Sequence, residues 1–421
     1  MESILDELQW RGLVAQSTDE DALRAALGDG PVTAYCGFDP SAPSLHFGNL
    51  VQLVVLRRLQ RAGHRVICLV GGSTGQIGDP KATAERQLRP REHTAANVAR
   101  IKDLVRPFLD FEGDNPALLV DNLDWTAGLT VLDFLRDIGK HFRVNQMIRK
   151  DAIAARLQSQ EGISYTEFSY QLLQALDYLH LFREYGCTLQ TGGSDQWGNL
   201  TAGVDLVHRV EGASVHALTT PLLTDSDGNK LGKSEGNAVW LSADMFSPYA
   251  FYQYWINVED ASVIQLLKVF TDRNAEDIAA LERSLAERPH QREAHRALAE
   301  DVTTLVHGAE ETARVRRASE VLFGRGEPTE LDERTLLDAT AELPRATLPA
   351  GGTVVDALVA TGLVPSKGAA RRTIAEGGAS LNNQRVQDPE QPVEPADFLH
   401  GRVALVRRGR KNLAALLPAE G

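Results

Sequence analysis

His46-Phe47-Gly48-Asn49 and Lys230-Leu231-Gly232-Lys233-Ser234 carry side chains suited to phosphate chemistry. The first stretch follows Tyr35-Cys36-Gly37-Phe38-Asp39-Pro40, where a β-type run breaks into a Pro and Gly turn, and it opens an apolar-rich segment over 49–62. That order predicts a strand, a tight turn and a helix start. A helix start offers free backbone N–H groups and partial positive charge to a nucleotide phosphate, and Gly48 lets the nucleotide lie against the backbone. His46 is suited to hydrogen-bond phosphate oxygens as charge builds during phosphoryl chemistry. Lys230, Lys233 and Ser234 follow Asp225-Ser226-Asp227-Gly228, a run of loop formers that brings two ammonium groups onto a leaving pyrophosphate. A phosphate-loop NTPase is disfavoured by spacing, because three residues rather than the required four separate Gly228 from Gly232.

The elements that position these groups follow from the pattern around them. Residues 33–38 and 65–72 read as strands flanking the helix over 49–62, with Gly63 as its stop, which makes a βαβ unit. A Rossmann-like, doubly wound parallel sheet of α/β class is the expected consequence. Gly72-x-x-Gly75-x-x-Gly78 has the wrong first spacing for a dinucleotide fingerprint, so its glycines are read as letting backbone approach a small ligand.

Three more segments complete an ordered series: Val70-Gly71-Gly72-Ser73-Thr74-Gly75-Gln76-Ile77-Gly78-Asp79-Pro80, Tyr170-Gln171-Leu172-Leu173-Gln174-Ala175-Leu176-Asp177, and Gly192-Gly193-Ser194-Asp195-Gln196-Trp197-Gly198-Asn199. Together with the two phosphate motifs they resemble, over nearly the whole chain, the bacterial tyrosyl-tRNA synthetase family of class I aminoacyl-tRNA synthetases. The resemblance implies an ATP-dependent tyrosine–tRNA ligase. In such an enzyme the tyrosine carboxylate attacks the α-phosphorus of ATP, and a terminal tRNA hydroxyl then attacks the mixed anhydride. Neither step needs a protein nucleophile, so positioning and charge stabilisation carry the catalysis.

Residue roles come from the same resemblance. His46, Asn49, Lys230, Lys233 and Ser234 match catalytic positions. Tyr35 and Asp177 match those that hydrogen-bond the substrate phenol, Asp79, Tyr170 and Gln174 those that hold its ammonium, and Thr74 a pocket wall. Gln196 falls where carboxylate and α-phosphate meet. ATP is expected against Gly37, Asp39, Ser41, Gly48, Arg86, Gly193, Asp195 and Lys233, with Asp195 on the ribose and Arg86 on pyrophosphate. This chain departs from the family at Asn49, commonly His, and at Ser41, often Thr. The loop between Pro80 and Arg86 is one residue shorter than in many relatives, so Lys81 is not assigned to pyrophosphate.

Composition fits a large globular enzyme, with 421 residues, 43% apolar and 24% charged. Cys36, Cys68 and Cys187 are scattered, which suggests neither a disulfide framework nor a structural zinc. The N-terminus lacks a secretory pattern and no apolar run is long enough to span a bilayer, so a cytoplasmic location without membrane contact is expected. Net charge is −13, yet residues 351–421 hold nine Lys and Arg against seven Asp and Glu. Lys367, Arg371 and Arg372 cluster there, as do Arg407, Arg408, Arg410 and Lys411, and these are the expected tRNA contacts.

The expected organisation is a catalytic domain over 1–246, with an insertion at about 103–164 whose helical run resembles the family's dimer-forming region. A helical anticodon-binding domain over 247–323, a linker over 324–353 and a small α+β RNA-binding domain of the S-four type over 354–421 follow. The expected partners are tRNA(Tyr), L-tyrosine, ATP as substrate with Mg²⁺ accompanying it, and a second copy of the chain in a homodimer. No structural metal is expected. The rival reading is a noncatalytic RNA-binding paralogue, against which the intact His46, Lys230, Lys233 and Ser234 argue.

Overall fold

A computed structural model describes residues 3–81, 84, 86–160, 162–225, 228, 231–234, 237–323, 326–349, 351–409 and 412–419. The chain divides into two compact units, one of 1–245 with 258–298 and the other of 246–257 with 299–421. The stretch 247–323, expected as one helical domain, therefore contributes to both.

The first unit is built on a six-stranded sheet: β1 (Gln16–Ser17), β2 (Thr33–Phe38), β3 (Arg65–Val70), β4 (Leu118–Asp121), β5 (Cys187–Gly193) and β6 (His216–Thr220). Their order is β1-β6-β5-β2-β3-β4, and all neighbours are parallel except the two-residue edge strand β1, which runs antiparallel to β6. β2 and β3 are apolar on both faces because helices cover both, as parallel sheets require. The order reverses between β2 and β5, where Tyr35 is in register with Gln190. Connections leaving the carboxyl ends of these two strands diverge, and a crevice opens between them.

α1 (Phe47–Arg61) follows β2 and packs Leu50, Leu53, Val54 and Leu56 into the core. It ends where Gly63, at φ 93°, turns the chain into β3, a left-handed conformation that glycine adopts without penalty. α2 (Tyr165–Tyr185) and α3 (Trp197–Glu211) bracket β5 and pack on each other.

The expected insertion differs in two ways. β4 falls inside it yet joins the main sheet beside β3. The helical run expected within it is broken into short turns at Val131–Asp133, Phe134–Ile138, Gly139–His141 and Val144–Met147. It leaves the apolar side chains of Val131, Leu132 and Val144 largely open to solvent, at 73%, 78% and 62% exposure.

The second unit closes around a five-stranded sheet of β7 (Arg345–Leu348), β8 (Ala379–Leu381), β9 (Gln384–Arg385), β10 (Ala404–Arg408) and β11 (Asn412–Pro418). β8 and β9 form a hairpin, turning on Asn382 and Asn383, both at positive φ. The stretch 324–353, expected as a linker, contributes the helix Glu333–Thr340 and strand β7, which pairs in parallel with β11. Leu336, Val321 and Leu322 share one core with Leu405, Leu413 and Ala415, so the C-terminal sheet is packed onto the preceding helices instead of hanging from a tether.

Candidate active site

The crevice at the ends of β2 and β5 is a cleft of about 2210 Å³. Tyr35, Gly37, Asp39, Ser41, His46, Gly48, Asn49, Thr74, Asp79, Arg86, Tyr170, Gln174, Asp177, Gly193, Asp195 and Gln196 all line it, so residues far apart in sequence converge on one wall or another. Lys230 lies outside the described residues. Lys233 and Ser234 form a two-residue strand antiparallel to Asn237–Ala238, and the adjacent Leu231, Gly232 and Ala238 line the cleft. Gly232 has φ 91°, and a Cβ there would stand 2.8 Å from the Phe47 side chain, so the lysine loop lies directly against the first residue of α1.

The start of α1 differs from expectation. Its first N–H groups are occupied: Phe47 donates to the Val239 carbonyl (2.9 Å), Gly48 to His46 Nδ1 (3.0 Å) and Asn49 to the His46 carbonyl (2.8 Å). Asn49 Oδ1 accepts from the His46 N–H at 3.1 Å, completing a reciprocal cap. The N–H groups at the helix start are therefore already taken up, by Val239 and by His46, and the His46 ring lines the cleft beside them. Because Nδ1 accepts from a backbone N–H, the neutral ring carries its proton on Nε2, which places a donor on the far side.

At the β2 end of the cleft, Tyr35 is buried and its hydroxyl has no hydrogen-bond partner among the described residues. Burial raises its pKa well above the usual phenol range, and the nearby Asp177 carboxylate raises it further. Asp177 accepts from Asn122 Nδ2 (2.9 Å) and Trp125 Nε1 (3.0 Å). Burial nonetheless pushes its carboxyl up to about 8. Trp125 is stacked on His180 with ring centroids 4.2 Å apart, which fixes the indole plane. Sequence reasoning missed Asn122 and Trp125. Their signal was a strand end, Leu118–Asp121, followed at once by an amide and an indole, and it was hidden inside the supposed insertion.

Thr74 donates to Asp39 Oδ1 (2.6 Å) and accepts from Asn122 (3.0 Å), and Tyr170 donates to Asp39 Oδ2 (2.7 Å). Burial raises the Asp39 pKa, and these two donors counter it. Asp79 is held at both oxygens, by Gln196 Nε2 (3.0 Å) and Asn199 Nδ2 (3.1 Å). Asn199, which was also missed as a functional residue, accepts from Lys150 Nζ at 2.7 Å. Desolvation lowers Lys150 to about 8 against the opposing pull of Asp79. At the end of β5 a Cβ on Gly193 would sit 2.6 Å from Asp195 Oδ1, so only glycine leaves that carboxylate its place. Arg86 lies across the cleft with Nε on the Asp79 carbonyl at 2.9 Å. Among the described residues no group of three or more His, Cys, Asp or Glu could hold a metal ion.

In the second unit the basic residues separate into two kinds. Lys367, Arg371 and Arg372 are exposed on the helix Lys367–Ala375, the first paired with Asp356 (2.7 Å) and the second with Glu390 (3.0 Å). Arg408 is exposed and donates to the Leu363 carbonyl at 2.9 Å. Arg407 requires correction as a phosphate contact. It is 8% exposed and donates to the Leu322 carbonyl (2.6 Å) and Asn383 Oδ1 (3.0 Å), so it caps a helix end inside the fold. Arg410 and Lys411 lie outside the described residues.

Residues 28–324 match the family described as tRNA synthetases class I (W and Y), and residues 336–416 match the tyrosine–tRNA ligase SYY-like C-terminal domain. The chain is 60% identical over 417 residues to a tyrosine–tRNA ligase of Streptomyces griseus, covering 99% of each. It is 58% identical over 421 residues to one of Leifsonia xyli, covering 100% of this chain and 95% of the relative. Among solved structures it is similar to a C-terminally truncated mitochondrial tyrosyl-tRNA synthetase of Aspergillus nidulans, with TM-score 0.70, 30% identity, and coverage of 76% of this chain and 94% of that one. No helix among the described residues is long and apolar enough to cross a membrane.

Proposed function

We propose how the cleft residues divide the chemistry of a chain that belongs to the class I tRNA synthetases, and within them to the tyrosine–tRNA ligases. Its activity is the ATP-dependent joining of tyrosine to tRNA.

The observation that carries the assignment is the buried Tyr35 hydroxyl, without a partner among the described residues, beside an Asp177 carboxyl group that Asn122 and Trp125 hold in place. An orphaned buried hydroxyl is costly, and a substrate phenol that accepts from Tyr35 while donating to Asp177 satisfies both. The substrate ammonium then meets Tyr170, Asp79 and Gln174. Tyr170 spends its proton on Asp39, so its oxygen faces the ammonium as an acceptor. This arrangement leaves the substrate carboxylate at Gln196, ready to attack the α-phosphorus of ATP with pyrophosphate as the leaving group.

Asp195 is proposed to hold the ribose, with Gly193 and Gly37 giving the nucleotide close backbone approach and Gly48 doing so at the helix start. His46 donates from Nε2 to the phosphates as charge develops, and Ser41 reaches the terminal phosphate. Lys230, Lys233, Ser234 and Arg86 neutralise the departing pyrophosphate. Mg²⁺ enters as part of its complex with ATP, whose phosphate oxygens are the hard donors it prefers. Asn49 acts through the cap that orients His46. The tRNA is received in part by Lys367, Arg371, Arg372 and Arg408, and the apolar surface at Val131, Leu132 and Val144 is proposed to pair with a second copy in a homodimer. A cytoplasmic setting fits this work.

Exchange of labelled pyrophosphate into ATP tests the proposal. Exchange should depend on tyrosine, and should fall in Lys233→Ala while the tyrosine dissociation constant is nearly unchanged. Tyrosine-independent exchange, or none with the wild-type protein, would remove the assignment.

A further inference from the structure

Arg156 and Glu167 form a buried charged pair in the first unit to which the activation chemistry gives no role. Their side chains are 1% and 2% exposed, with Nη1 and Oε2 3.1 Å apart. A buried ion pair is a weak source of stability, since desolvation offsets much of the attraction. What this pair does hold is specific. Arg156 Nη1 donates to the Lys81 carbonyl at 3.3 Å and Nε to the Gly162 carbonyl at 2.9 Å. Glu167 Oε1 accepts from the Arg86 N–H at 2.9 Å. The two side chains thus grip both ends of the segment 81–86, the short loop in which this chain departs from many relatives. Glu167 also sits in α2, at spacings of three and seven from Tyr170 and Gln174, so it shares their face of the helix.

We propose that Arg156 and Glu167 are positioning residues for the pyrophosphate half of the reaction, fixing Arg86 in register with the tyrosine-binding face of α2. The proposal rests on the reading of Arg86 as a pyrophosphate contact. Arg86 reaches the cleft from a backbone held at its own N–H by Glu167 and at its side chain by the Asp79 carbonyl (2.9 Å), so the ammonium-binding and pyrophosphate-binding residues share one brace.

The test uses the full-length protein and two readouts, KM for pyrophosphate in the exchange reaction and the equilibrium dissociation constant for tyrosine. Glu167→Ala removes the acceptor for the Arg86 N–H and should raise KM for pyrophosphate about tenfold, with tyrosine affinity within about threefold of wild type. Glu167→Gln keeps an oxygen for that N–H and should recover most of the loss. Arg86→Ala should raise the same KM, and the double variant should be no worse than Arg86→Ala alone, because the two residues act as one unit. Multiplied effects in the double variant, or equal losses of tyrosine and pyrophosphate affinity in Glu167→Ala, would overturn the proposal. An unchanged KM in Glu167→Ala beside a raised one in Arg86→Ala overturns the positioning role alone, whereas an unchanged KM in Arg86→Ala overturns the reading of Arg86 and the proposal with it. If Glu167→Ala does not fold, Glu167→Asp keeps the charge opposite Arg156 but draws the carboxylate back from Arg86, and should raise KM for pyrophosphate alone.

Discussion

The Tyr170 hydroxyl donates to Asp39 Oδ2 at 2.7 Å, and this single bond decides what the tyrosine can do for a ligand. With its proton committed, the oxygen is left as an acceptor pointed at the position proposed for the substrate ammonium. Tyr170→Phe should therefore weaken tyrosine binding about tenfold, the scale of a hydrogen bond to a charged group, without a comparable change in ATP affinity. Tyrosine titration and ATP titration of the same preparation compare the two.

Asp177 should leave a signature in stability. Its carboxyl is pushed from the ordinary 3.8 up to about 8 by burial, so between those values the folded protein holds a proton that the unfolded chain has released. That contribution to stability is fully present below the unfolded value and is lost as pH rises through the folded one. Asp177→Asn carries no proton to lose. The thermal midpoint of the tyrosine-free variant relative to wild type should climb between about pH 5 and 8, and an offset independent of pH would count against the buried, protonated carboxyl.

Asn49 caps α1 through the His46 N–H at 3.1 Å, so its first role is to hold the histidine. Asn49→Ala should cost about 1 kcal/mol of stability, the usual value of a missing cap, together with a loss of activation rate. Asn49→His retains an acceptor and should keep activation within about tenfold of wild type. Denaturant unfolding and single-turnover adenylate formation measure the two effects separately.

Removal of the C-terminal module is a poor test of tRNA binding, because Leu405, Leu413 and Ala415 share a core with Val321 and Leu336 and their loss would expose it. Replacing exposed charges avoids that problem. Lys367→Ala, Arg371→Ala and Arg372→Ala combined should weaken tRNA charging and reduce the salt slope of tRNA binding by roughly 0.7–0.9 for each phosphate that is no longer neutralised. Tyrosine-dependent pyrophosphate exchange should be unchanged. Arg407→Ala should instead lower the thermal midpoint, since it strips a buried donor from the Leu322 carbonyl.

The parts of this molecule legible in the sequence are those set by local rules. Strand β2, helix α1 and the glycine stop at Gly63 follow from apolar pattern and turn chemistry, and the Asn382-Asn383 hairpin from its turn residues. Pairings over long sequence distances were not legible. Asn122 and Trp125 acquire meaning only because β4 lines up beside β3 and brings them to Asp177, and Asn199 only because Asp79 arrives from another loop. Arg407 stands in a basic cluster, yet it falls within a strand covered on both faces and reaches the Leu322 carbonyl, while Arg408 at the strand's end stays exposed. The helix start of α1 misled for a related reason. Free N–H groups are the general rule, and here His46 and Asn49 spend theirs on each other.

Selection of tyrosine by the phenol pair is most directly tested by the ratio of kcat/KM for tyrosine over phenylalanine in adenylate formation, measured for wild type and Tyr35→Phe. The Tyr35 hydroxyl is buried and without a partner among the described residues, so its one bond should be the one it makes to the substrate phenol. Removing it should cut the ratio about tenfold, through loss of activity on tyrosine with phenylalanine little affected. A ratio equal to that of the wild type would show that the phenol is read elsewhere.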